Sequence, residues 1–216
     1  MESLIQTLAI SALPILFAIT LHEAAHGYAA RHFGDPTAWL AGRISLNPLQ
    51  HIDLLGTIVI PALILIFSGG AFLFGYAKPV PVDFGRLRHP KRDMLWVAGA
   101  GPAANLVMAL GWAFMLKLAW LMPLNSFTLP LSEMSKVGIT INVVLMVLNL
   151  FPLPPLDGGR IAVSLLPNRL AWQFAQLERW GFPILLLLLF TGILGAVLNP
   201  FVGLVTWFIE RIFGFY

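Results

Sequence analysis

The chain has 216 residues, 58% of them hydrophobic and 11% charged, with a net charge of +3 and no cysteine. An average soluble domain carries roughly 25% charged residues. Several apolar runs here approach or exceed the ~20 residues that span a bilayer, so the composition indicates an integral membrane protein. Disulfides and thiolate metal ligands are excluded, and any metal must be held by His, Asp, Glu or water. The positive charge is clustered: five of the 13 basic residues, Lys78, Arg86, Arg88, Lys91 and Arg92, lie close together. Such clustering points to membrane topology and gives no sign of nucleic-acid binding.

Residues 4–33 are predicted to form a first transmembrane helix with a local kink at Pro14. It lacks the basic start of a signal peptide and is expected to be retained. Within it lies His22-Glu23-Ala24-Ala25-His26, an instance of H-E-x-x-H. Positions four apart share a helix face, so His22 and His26 can bind one metal ion through their imidazoles. Glu23 lies beside them, placed to take a proton from a water at the metal. A pair of core histidines bonded to neighbours is the plainer alternative. Arg31-His32-Phe33-Gly34-Asp35-Pro36 ends the helix by charge, Gly and Pro together. From Thr37 to Asp53 loose alternation, with Gly42 and Asn47-Pro48 as turn markers, suggests a short β-hairpin at the membrane edge. An ordinary loop fits that stretch equally well.

Residues 54–75 are apolar but interrupted by Gly56, Pro61 and Ser68-Gly69-Gly70. Lys78-Pro79-Val80-Pro81-Val82 follows as an extended, proline-stiffened piece, and then a basic loop to Asp93. A second transmembrane helix is expected over 94–122. It contains Gly101-Pro102-Ala103-Ala104-Asn105, small residues that permit close helix approach and an Asn that should not face lipid. After a polar turn, a third crossing is expected over 137–151, carrying Asn142 and Asn149. The stretch Asn149-Leu150-Phe151-Pro152-Leu153-Pro154-Pro155-Leu156-Asp157-Gly158-Gly159 breaks the helix within the membrane, where only protein or a cavity can satisfy the backbone. Asp157 is therefore a candidate site residue, with a helix-capping role as the alternative. Residues 168–180 suggest an interfacial helix, 182–198 a further crossing, and 200–216 a short return or interfacial helix.

With HEAAH in the first helix, GPAAN in the second and NLFPLPPLDGG in the third, the chain resembles the site-2 protease family, over about residues 15–165. These are zinc metalloproteases that cut within the membrane. GRISLNPLQHID resembles the minimal bacterial and archaeal branch, and the chain leaves no room for the PDZ or CBS domains many relatives carry. The resemblance implies one catalytic Zn2+ held by His22, His26 and Asp157, with Glu23 as general base. It matches Asn149 to a residue that holds substrate backbone near the metal, and residues 37–53 to a membrane-edge hairpin that pairs with an extended substrate. Asn105 and Asn47 are weaker candidates for substrate or oxyanion contacts. The implied partner is a transmembrane protein substrate in the lipid bilayer, and the location a prokaryotic cell membrane.

The expected architecture is thus a single all-α polytopic domain over 1–216. It has about four to six membrane-embedded helices and a small hairpin, with its core over 4–165 and further helices over 168–216. A membrane metal transporter is the competing class, but it would place ligands on several helices at successive depths. To share one metal, the helices carrying His22 and Asp157 must run in the same direction. Residues 54–75 should then be re-entrant, and both polar connections cytoplasmic, with the metal nearer that face.

Overall fold

The computed structural model describes residues 2–51, 53–60, 63–64 and 78–215. Helix α1 spans Glu2–His32 and α2 is a short turn over Thr37–Leu40. A 3-10 turn at Pro48–Gln50 and a π-helical turn at Leu54–Val59 follow. Beyond another 3-10 turn at Phe84–Arg86 come α3 (Pro90–Leu121), α4 (Thr128–Asn149), α5 (Asp157–Leu165), α6 (Asn168–Ala175), α7 (Glu178–Phe190) and α8 (Ile193–Phe213). Four of the described helices, α1, α3, α4 and α8, are long and apolar enough to cross a membrane. The protein is an all-helical integral membrane protein.

The direction of the helices follows from their cross-links. His22 of α1 bonds to Asn105 of α3, while His26, one turn later, bonds to Val97, about two turns earlier. Helices α1 and α3 are therefore antiparallel. Asn105 pairs with Asn142, and Trp120 with Ser132, so α3 and α4 are antiparallel as well. It follows that α1 and α4 run in the same direction, the condition for His22 and Asp157 to meet. The packed interior of α1, α3 and α4 includes small side chains, among them the fully buried Ala18, Ala109 and Ala113. In lipid, where hydrophobicity gives helices little reason to associate, close backbone packing of this kind holds them together. A core of Ala109, Ala113, Leu116, Ile139, Val143, Met146 and Ile209 joins α3, α4 and α8.

The hairpin expected over Thr37–Asp53 is not seen: the described residues contain no strand. Asp35, fully buried, accepts hydrogen bonds from the Thr37 hydroxyl and backbone amide and so winds the next residues into α2. Asn47 caps the 3-10 turn by accepting from Leu49 N at 3.1 Å. Local side-chain-to-backbone bonds have outcompeted strand pairing. The crossing expected over 182–198 is split. Gly192 takes φ +76°, a left-handed conformation open to glycine, and ends α7 after 13 residues. Residues 200–213 accordingly belong to the long helix α8 and do not form a separate return helix. Helix α4 begins earlier than expected because Asn125 caps it, accepting from Phe127 N and Thr128 N.

The expected re-entrant path of 54–75 lies mostly outside the described residues, but its flanks are tied together. Lys78 N donates to His51 O at 2.9 Å, and the Arg43 guanidinium donates to Lys78 O. Arg88 bonds the His32 and Phe33 carbonyls at the end of α1. The end of α1 and the start of α3 therefore lie on one side of the bundle. Because the chain has no cysteine, single cysteines at His32, Arg86 and Leu124 report sidedness cleanly. With an impermeant thiol reagent on sealed vesicles, the first two should label from one side and Leu124 from the other. Opposite labelling of His32 and Arg86 would contradict this topology.

Asp35 makes a second test. Burial alone would raise its pKa, but bonds from Thr37 and from Asp83 N, with the Arg86 charge nearby, hold it below the ordinary value. A carboxylate depressed on folding stabilises the protein above its unfolded pKa of about 3.9, and that contribution is lost as pH falls through the folded value. Wild type should thus melt higher than Asp35→Asn at pH 6. The gap should close as pH drops below about 4.

Candidate metal centre

His22 and His26 sit ten and six residues before the end of α1, so His22 lies about 15 Å inside the helix terminus. They occupy one face, as the four-residue spacing requires, and both are buried. Asp157 reaches them because the chain breaks after α4. The Leu150–Leu156 loop folds back, and α5 starts at Asp157 itself. The two glycines after Asp157 make the fold-back possible. A Cβ on Gly158 would lie 2.2 Å from Leu150 O, and one on Gly159 2.2 Å from Pro154 N. Asp157 Oδ2 stands 3.2 Å from the Nε2 atoms of both histidines, which are 3.1 Å from each other.

The protonation pattern of the histidines follows from their outer neighbours. Asn105 Nδ2 donates to Ala18 O at 3.2 Å and to Asn142 Oδ1 at 2.9 Å, so its Oδ1 is the atom facing His22 Nδ1, 2.6 Å away. An amide oxygen accepts only, hence His22 Nδ1 donates. His26 Nδ1 likewise donates to Val97 O at 2.8 Å. Each ring then turns its Nε2 toward the buried Asp157 Oδ2. Two imidazole nitrogens and a carboxylate oxygen converging in this way suit a cation. Their ligand atoms lie within 4.8 Å of one another. Two imidazoles and one carboxylate, each imidazole oriented through its second nitrogen, form a donor set suited to zinc with a fourth position open.

A cavity of about 120 Å³ opens on this group. Glu23, Asn149, Val80 and Arg160 line it with His22, His26 and Asp157. Glu23 is half-buried, and its Oε2 accepts from Val80 N at 2.8 Å. Asn149 donates to Leu145 O at 3.0 Å, which leaves its second N–H and its oxygen for other partners. The seven sequence candidates therefore separate. His22, His26 and Asp157 converge, with Glu23 and Asn149 on the same cavity. Asn105 orients His22 from behind and does not line the cavity. Asn47, spent on its helical cap, is elsewhere.

Four contributors carry no metal-site signal in the sequence. Gly101 is the closest: a Cβ there would stand 2.4 Å from His26 Nε2 and 2.6 Å from His22 Nε2. Its place in GPAAN, on a different helix from every proposed metal-binding residue, points to close packing but not to what it packs against. The Val97 carbonyl carries no side-chain signal at all. Val80 was legible only as part of an extended piece. Arg160 follows Asp157 by three residues, on the same face of α5.

A buried two-histidine, one-carboxylate centre inside a membrane-spanning helical bundle is the class of site this fold defines. Comparison with known proteins finds zinc metalloproteases. The chain is 39% identical over 189 residues to the protein named "Putative zinc metalloprotease YwhC" of Bacillus subtilis, covering 86% of this chain and 82% of that one. It is 32% identical over 200 residues to "Putative zinc metalloprotease Rip2" of Mycolicibacterium smegmatis, covering 90% of this chain and 71% of the relative. The Rip2 of Mycobacterium tuberculosis is 29% identical over the same shares. No family model matches the chain, and no solved structure does. On the identity and coverage of the Bacillus relative, the chain belongs to this zinc metalloprotease family. Zinc is the family's metal, and the donor set fits it.

Gly101 supplies the prediction. Gly101→Ala should cut zinc affinity by about tenfold or more, because its methyl group must displace the imidazoles. Zinc content after dialysis against a graded chelator measures it. Wild-type retention would show that α1 and α3 can move apart at no cost to the site.

Proposed function

We propose that the protein is an intramembrane protease of the site-2 type, which hydrolyses peptide bonds in or near transmembrane segments of other membrane proteins. The observation that supports this most is the depth of the metal centre. His22 lies about 15 Å inside a membrane-spanning helix, and Asp157 is brought to it from a broken segment. A peptide bond must therefore come to that depth to react.

In this reading His22, His26 and Asp157 hold the zinc, which when bound supplies Lewis acidity to the hydrolysis. Glu23 takes a proton at its carboxylate as water attacks the peptide carbonyl. It returns that proton to the nitrogen as the C–N bond breaks, so that the leaving group departs as a neutral amine. Asn149, with one N–H and its oxygen uncommitted, is placed to hold the substrate backbone. A transmembrane helix offers no free carbonyl, so the substrate must unwind first, and helix-breaking residues in it favour that. The side bearing Arg31, Arg86, Arg88, Lys91 and Arg92 is read as cytoplasmic, in a prokaryotic cell membrane, with the metal nearer that face.

The test uses the full chain in lipid vesicles with a panel of reporter proteins whose single transmembrane segment carries an Asn-Pro or Gly-Gly break. Wild type should cut at least one of them inside the segment. Glu23→Gln should keep its zinc and lose at least about 100-fold in rate. His22→Ala, His26→Ala and Asp157→Ala should lose both. Cleavage by Glu23→Gln at the wild-type rate would refute the mechanism. Cleavage only of soluble loops would refute the intramembrane site.

A further inference from the structure

The extended segment Lys78–Asp83 crosses one wall of the metal cavity, where Pro79, Val80 and Val82 all line it. It is fastened at both ends. Lys78 N donates to His51 O and Lys78 O accepts from Arg43, both at 2.9 Å. At the other end Asp83 N donates to the buried Asp35 carboxylate at 2.7 Å. Between these anchors one backbone group is turned inward. Val80 N–H donates to Glu23 Oε2 at 2.8 Å, across 57 residues of sequence. No hydrogen bond reaches Glu23 Oε1 among the described residues.

We infer that this strap is a positioning device for Glu23, with the Val80 amide holding the carboxylate by one oxygen so that the other faces the cavity. The inference rests on the hydrolytic role proposed above for Glu23. A free Glu side chain has three rotatable bonds and loses rotamer freedom when fixed. A strap that fixes it beforehand leaves less ordering for the reaction itself. The sequence around Val80 suits the task. Pro79 and Pro81 hold their own φ near −65°, and Pro81 keeps Val80 extended. Neither proline has an N–H, so Val80 is the only amide donor among three consecutive residues that can meet Glu23. Val80 itself is buried at 6% exposure, which shields the bond from water. It is a positioning group, acting through Glu23 and not on the substrate.

The experiment uses the full zinc-loaded chain in vesicles and a reporter segment that wild type has been found to cut. Val80→Pro deletes the donor in a stretch already extended, and Val80→Ala keeps the donor while trimming the side chain. Val80→Pro should retain zinc and lower kcat about tenfold, with KM within about twofold. Val80→Ala, which keeps the donor, should lose clearly less kcat than Val80→Pro. Unchanged kcat in Val80→Pro, a change confined to KM, or an equal loss in Val80→Ala would each overturn the inference. Should Val80→Pro fail to fold or bind zinc, the double variant Pro79→Ala, Pro81→Ala decides. It frees the strap without removing an amide, and must lower kcat several-fold at constant KM for the inference to stand. If wild type cuts and Glu23→Gln does not while these variants behave as wild type, the strap fails and the protease reading survives. If wild type cuts no reporter, the protease reading fails first.

Discussion

The approach of Asp157 Oδ2 to within 3.2 Å of two imidazole nitrogens is the constraint on which the rest of the bundle depends. Bringing two imidazoles and a carboxylate together in a low-dielectric interior carries a desolvation cost, which a cation bound among them offsets. The protein must therefore hold them in place from outside. It does so with directed hydrogen bonds from behind each ring. Asn142 accepts from Asn105, Asn105 accepts from His22, and the Val97 carbonyl accepts from His26. Asn142 itself donates to Gly138 O, so the network closes on backbone. Asn105 and Asn142 are fully buried in what is otherwise an apolar interface. Such residues inside a membrane bundle are costly unless fully satisfied, and here each serves to aim a ligand.

Close packing makes this aiming possible. With Gly101 against the imidazoles, α3 comes near enough to α1 for an asparagine and a backbone carbonyl to reach the two rings. The glycines after Asp157 do the same for the broken segment, letting the carboxylate arrive from the start of α5. One side of the site is therefore rigid helix, and the other is a short irregular loop satisfied by its own turns. Both features belong to a membrane protein: small residues where helices touch, and non-helical backbone only where protein covers it.

The wall opposite is built differently. The Lys78–Asp83 strap contributes no metal-ligating group, yet it touches Glu23 and is secured by Arg43, His51 and Asp35. Those three residues come from the connection that follows α1, whose local capping bonds replaced the expected hairpin. That connection thus carries the anchors of the strap.

The sequence by itself determined the helical membrane architecture and the donor set, His22, His26 and Asp157, that converges in it. His22, Glu23 and His26 could be read because helical periodicity places residues four apart on one face, and the apolar runs of about 20 residues had no other stable environment. Asp157 was legible because an acid beside three prolines inside a membrane segment calls for a reason. What only the tertiary structure decided were the contacts made by groups without a side-chain signature, or by side chains with several equivalent options. Val97 contributes a carbonyl that every residue has, and Val80 an amide that nearly every residue has. Asn47 and Asn105 were equally eligible for the site by type, yet one closes a local turn and the other aims a ligand across 83 residues of sequence. The hairpin and the crossing at 182–198 failed for a related reason. A single Asp–Thr cap and one glycine at positive φ outweighed the averaged pattern of their neighbours. Periodicity reports which face is buried; which partner waits there is settled by the packing of helices far apart in the chain.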